Sequence, residues 1–230
     1  MTLSKLERWV QNLTLPLAVA VSGCAPGGLS LERSGKVLVE DNFSEIEAIY
    51  IDNSLAHWKG ATDSEAANNV NFEFGYHADR PFDPETSWNS PEGYVMIRKV
   101  QSSEPGYGAL GLGYIAGTTD RSKGIVVAED VINGYVDDYL EQYPEEALLH
   151  GQENADIYKR FFQRTILHEM GRFLGANEDI INERSIMYPT VESLDKYRHG
   201  SLTLCVDKIA LENYCAEIPC GPESGSTCLE

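Results

Sequence analysis

One stretch constrains the fold of this chain more than any other. Over residues 145–174, Phe162, Ile166, Met170 and Phe173 recur on one helical face, and Gly175 then offers a C-terminal stop. Inside it, residues 168–178 read HEMGRFLGANE. On a helix, positions i and i+4 stand one turn apart on the same side. The pattern HExxH therefore aims two imidazoles at one zinc ion while the intervening glutamate reaches the metal-bound water. His168 and Glu169 hold the first two of these places, and Gly175 permits the sharp turn that would bring back a third ligand at Glu178. The second ligand position holds Arg172. A guanidinium stays protonated, offers no lone pair and carries its own positive charge, so it cannot ligate zinc. That leaves His168 and Glu178, one protein ligand short of the usual catalytic three; the alternative is a rearranged sphere completed by Asp179 or His199. Placed between Glu169 and Glu178, Arg172 is expected to neutralise two carboxylates that would otherwise repel each other.

The rest of the chain supplies strands and further helices. Residues 36–40 (KVLVE) alternate as a strand, and residues 43–58 carry Ile46, Ile49, Tyr50 and Ala56 at helical spacing. Residues 69–75, 93–100, 109–116 and 124–131 are β-rich, which makes five strands, with residues 117–123 as the turn between the last two. A final helix is expected over residues 203–214.

The frame HExxHxxGxxH is matched at His168, Glu169 and Gly175, and SIMYP follows at residues 185–189 as a Met-turn containing Met187. This combination resembles the metzincin zinc endopeptidases, and Met-Tyr-Pro most resembles their matrixin branch. Residues 56–58 and 202–214 look like the corresponding matrixin segments. The resemblance implies an α+β, zincin-like catalytic domain over residues 35–215: a mixed, twisted five-stranded sheet with about three helices, followed by a cysteine-containing tail at 216–230. It implies a zinc cofactor, Glu169 as general base, and Met187 as the apolar floor of the site. A polypeptide substrate would lie extended along the edge strand, past Gly111, Leu112, Gly113 and Tyr114, with Tyr188 in the pocket wall. Calcium is a further cofactor that matrixins often carry, with Asp120, Glu129, Asp130, Asp137 and Asp138 as candidates. Because Arg172 replaces a ligand, peptidase activity is expected to be impaired; the alternative is a silent relative that binds peptides or proteins or serves a structural role.

At the N-terminus, Lys5 and Arg8 precede an apolar run over residues 13–21 that ends in Val21-Ser22-Gly23-Cys24. This resembles a bacterial lipoprotein signal peptide, with residues 1–23 removed, Cys24 lipidated and residues 24–34 a flexible tether; an ordinary secretory signal is the alternative. Ala25 after the lipidated cysteine favours the outer membrane or cell surface. Removing Cys24 leaves Cys205, Cys215, Cys220 and Cys228, an even number near the C-terminus that reads as two disulfides of an exported protein. A helix over 203–214 would hold Cys205 and Cys215 roughly 15 Å apart, so Cys205 is expected to pair with Cys220 or Cys228. A four-cysteine zinc site is the competing reading, and the spacing lacks close CxxC pairs.

With 18 Lys+Arg against 36 Asp+Glu the net charge is −18, which repels phosphate backbones and anionic lipid. Nucleic acid is excluded as a partner, membrane contact is expected only through the lipid on Cys24, and the chain is expected to be a monomer. His57 and His150 read as surface residues, and His77-Ala78-Asp79 stands before residues 93–100, away from the place of the structural-zinc loop in animal matrixins.

Overall fold

The computed structural model describes residues 36–85, 88, 90–104, 106–107, 116–144, 153–179, 181–182, 185–188 and 204–228. Cys24, His150, His199 and the cleft residues Gly111, Leu112, Gly113 and Tyr114 lie outside them. In chain order the elements are β1 (Lys36–Glu40), α1 (Glu45–Thr62), the single turn α2 (Glu65–Asn68), β2 (Asn71–Tyr76), β3 (Val95–Val100), β4 (Gly117–Asp120), β5 (Gly124–Ala128), α3 (Glu129–Gln142), α4 (Glu153–Leu174), β6 (Cys205–Val206), α5 (Lys208–Glu217) and β7 (Thr227–Cys228). The fold is α+β, with one mixed five-stranded sheet in the order β2-β1-β3-β5-β4. β2, β1, β3 and β5 run parallel, and β4 pairs antiparallel with β5 at the edge.

Alternation along the strands builds two cores. Val37, Val39, Ile97, Ile125 and Val127 face α1 and α4 in the main core, together with Ile51, Leu55, Trp58, Phe162, Ile166 and Met170. Val100, Val126 and Ala128 point the other way, against Phe82, Trp88 and Tyr107. A buried carboxylate joins three elements on the main-core side: Glu47 of α1 accepts from Ser44 N (2.7 Å), Tyr158 Oη of α4 (2.6 Å) and Lys99 Nζ of β3 (3.0 Å). Burial pushes its carboxyl up, but the hydrogen bonds from Tyr158, Ser44 and Lys99 outweigh that effect and hold it below the ordinary value.

Several sequence expectations change here. The strand expected at 109–116 lies, apart from Ala116, outside the described residues, and β4 occupies Gly117–Asp120, within the stretch expected to be a turn. Hydrogen-bond pairing with β5 decides this, Gly117 facing Val127 and Asp120 facing Gly124. β5 ends at Ala128, where Glu129 and Asp130 place acidic groups in the first turn of α3. That helix was not foreseen; among the described residues four helices are longer than one turn. α1 buries Ile51, Leu55 and Trp58, while Ile46 and Ile49 are 50% and 51% exposed. Apolar side chains stand on several sides of α1, so periodicity left open which face the sheet would cover. His57, expected on the surface, is half-buried. Cys205 lies in β6, and the last helix starts only at Lys208, N-capped by Asp207. The residues set apart as a tail pack on α1: Gly221 N donates to Thr62 O (3.0 Å), Gly225 N to Ala61 O (2.9 Å) and Thr227 Oγ1 to His57 O (3.1 Å). The first two donors satisfy carbonyls at the helix end that would otherwise go unpaired.

α1 and α4 meet at Gly171, where an added Cβ would overlap the Trp58 ring and stand 2.7 Å from Met187 Sδ. Gly171→Ala is therefore expected to destabilise the fold by about 2 kcal/mol despite alanine's better helix propensity, lowering Tm by roughly 4–8 °C. Gly134→Ala on α3, where nothing lies within 4 Å of the new methyl, is expected to raise stability by about 0.5–1 kcal/mol. Thermal and urea unfolding of the two variants check both signs.

Candidate active site

The last two turns of α4 carry His168, Glu169 and Arg172, and the chain leaves the helix through Gly175, whose φ of +120° suits only glycine. Ala176 N reaches back to Gly171 O at 2.8 Å and closes the turn, after which the chain returns to Glu178 and Asp179. The Ser185–Tyr188 turn lies directly beneath the helix. His168 Nδ1 donates to Ile186 O (2.8 Å), Arg164 Nη2 donates to Tyr188 O (2.6 Å), and Asp179 N donates to Met187 O (3.0 Å). Asp207 holds the turn from below, accepting from Ile186 N at 2.7 Å and Ser185 Oγ at 3.0 Å while its other oxygen caps α5. Met187 is fully buried against Gly171.

With Nδ1–H committed to a carbonyl, His168 is fixed in the tautomer whose Nε2 keeps its lone pair. Burial, reinforced by the charge of Arg164, pushes its pKa down to about 3 although the bond to Ile186 opposes the shift. Glu169 is 3% exposed, lies under β4 and accepts from Thr119 Oγ1 at 2.6 Å. Burial pushes its carboxyl above the ordinary range, against the pull of Arg172 and Thr119. Arg172 stands between the two carboxylates: its Nη1 is 3.6 Å from Glu169 Oε2 and 3.3 Å from Glu178 Oε1. Its carbonyl accepts from Arg121 Nε at 3.0 Å.

His168, Glu169, Arg172, Glu178, Met187 and Tyr188 thus come together. Asp179 accepts the Ile181 and Asn182 N–H groups at Oδ1. The calcium candidates are dispersed: Asp120 accepts from Ser122, Glu129 from Gln101 and Asp130 from Ser102, and Asp137 and Asp138 are exposed on α3. His77 pairs with Asp41 at 3.0 Å. Among the described residues no group of three or more His, Cys, Asp or Glu side chains is placed to hold a metal ion. The donors of the HExxH frame do not fit a catalytic zinc: one imidazole nitrogen is offered, the nearby carboxylates already face a guanidinium, and that guanidinium would repel a second cation. Thr119, Arg164 and Asp207 were missed from sequence. Asp207, an N-cap residue ahead of an apolar run, carried the only local signal.

The chain matches none of the protein-family models, curated proteins or solved structures with which it was compared.

The two shifted groups set opposite pH dependences. Between pH 6.5 and about 3 the unfolded chain binds a proton at His168 that the folded chain refuses, so stability falls as pH drops through that window. Glu169 binds its proton more tightly when folded, so its contribution is lost as pH rises through the raised pKa. His168→Asn, which retains a donor toward Ile186 O, is expected to remove the acid-side fall, a change of at most about 1.4 kcal/mol per pH unit. Urea midpoints of both proteins at pH 4, 5, 6 and 7 test this; parallel curves would contradict it.

Proposed function

We propose that this chain is an exported, metzincin-like protein whose peptide-binding cleft no longer hydrolyses its ligand, an internal cation having taken the place of the catalytic metal. The observation that carries the reading is the guanidinium of Arg172 standing 3.6 Å from Glu169 and 3.3 Å from Glu178. A monovalent cation there neutralises both carboxylates without binding or activating water, and Glu169 is left facing a hydrogen bond from Thr119 rather than a nucleophile. The relation to metzincins is supported by the order of the elements, by the Gly175 turn and by the position of Met187 beneath the helix that carries His168. The ligand in this reading is an extended polypeptide running beside β4, the antiparallel edge of the sheet, where open main-chain groups can pair with it.

Export is supported by the two disulfides, Cys205–Cys228 and Cys215–Cys220, which belong to proteins that fold outside a reducing cytoplasm. Among the described residues no helix is long and apolar enough to cross a membrane. The proposal includes attachment by lipid on Cys24. Labelled palmitate is expected in the wild-type chain expressed in a bacterium and absent from Cys24→Ala, as gel autoradiography would show.

Elemental analysis joined to a casein cleavage assay tests the central claim. The purified wild type is expected to carry far less than one zinc per chain and to leave casein intact, whereas Arg172→His, which completes a His/His/Glu donor set, is expected to take up about one zinc per chain. Stoichiometric zinc with casein cleavage in the wild type would overturn the reading.

A further inference from the structure

Both disulfides lie one contact away from the cleft, by two separate routes. Cys205 and Cys228 face each other across the β6–β7 pair, and Asp207, two residues beyond Cys205, holds Ser185 and Ile186, whose carbonyl in turn orients His168. Cys215 and Cys220 close a short loop containing Ile218, and a Cβ on Gly175 would overlap the Ile218 side chain. The turn through Gly175 carries Glu178 back toward Arg172. The tail also donates three hydrogen bonds to α1, and Ile218 and Cys220 pack against the main core; the disulfides add covalent ties beside its two contacts with the site.

We infer that the two disulfides form a redox-responsive clamp that assembles the cleft only in an oxidising compartment. Cys228 is on the exposed side of its bridge, where an external thiolate can reach it. A dithiol reductant attacks the Cys228 sulfur and Cys205 leaves as a thiolate; the reductant's second thiol then resolves the mixed disulfide. In sum, two electrons and two protons pass to the protein and the reductant leaves as a disulfide. Opening this bridge removes the covalent tie between β6 and β7 and loosens Asp207 from the turn under His168, while Val206 stays buried. Opening the second frees Ile218 and loosens the Gly175 turn. Cys215 and Cys220 pack only against the rim of the main core, and Val206, Ala210 and Tyr214 are held in it by burial, so the core keeps its packing. Before export, or on exposure to a dithiol, the scaffold would persist while the cleft lost its geometry.

Hydrogen exchange with thiol counting on the mature chain tests the clamp. After dithiothreitol has opened both bridges, the Ile186 and Ala176 amides are expected to exchange at least about tenfold faster while Ile97 and Val126 in the central sheet keep their protection. Cys205→Ser with Cys228→Ser should reproduce the change at Ile186 alone, and Cys215→Ser with Cys220→Ser the change at Ala176 alone. Asp207→Ala, with both disulfides intact, should reproduce the Ile186 effect. Unchanged exchange at Ile186 and Ala176 once four thiols are counted would overturn the inference. So would simultaneous loss of protection across the sheet, which would make the bridges general staples, and so would wild-type protection of Ile186 in Asp207→Ala. If a cysteine variant does not fold, reduction of the wild type decides by the same readout.

Discussion

The approach of the Trp58 ring to the backbone of α4 at Gly171 is the constraint on which the rest of this structure depends. The indole is fully buried, its Nε1 donates to Leu167 O at 2.8 Å, and Tyr214 of α5 packs on its other side with ring centroids 5.9 Å apart. Only a residue without a side chain lets α1, α4 and the Met187 turn share that space. Interiors packed to this density transmit small displacements, so the position of His168 and Glu169 is set as much by α1 and α5 as by their own helix.

Above that contact the site is an exercise in charge balance. His168 is kept neutral by burial and by two neighbouring arginines, while burial, joined by the charge of Glu178, raises the Glu169 carboxyl against the pull of Arg172 and Thr119. Arg172 is about one-third exposed, so its pairing with Glu178 contributes little to stability by itself. Its larger effect is on Glu169, a carboxylate so buried that any remaining charge needs a nearby partner. A catalytic dication would answer the same electrostatic need and also bind water; a guanidinium answers only the first.

The C-terminal segment has a larger part than its composition suggests. Its β6–β7 pair, helix cap and short disulfide loop close the end of α1 and support the turns that carry Met187 and Glu178. Sequence reasoning reached the possible partners of Cys205 through a helix that does not contain it: Cys205 is in β6, and its bridge to Cys228 is set by strand pairing. The outcome lay within the expected alternatives, and the reason differed.

Sequence by itself determined the local, periodic and chemical features. These are the strand at Lys36–Glu40, the apolar face of α4 through Phe162, Ile166 and Met170, the stop at Gly175, and the inability of Arg172 to ligate a metal. Each follows from side-chain chemistry or backbone sterics acting within a few residues. Tertiary structure alone decided which face of α1 is buried, which residues form the edge strand, that Thr119 bonds Glu169 across 50 residues, and that Arg164 and Asp207 bond the Ser185–Tyr188 turn across 24 and 21. Strand pairing, helix burial and such long-range hydrogen bonds are energies of pairs, and a pair is specified only when the fold brings both members together.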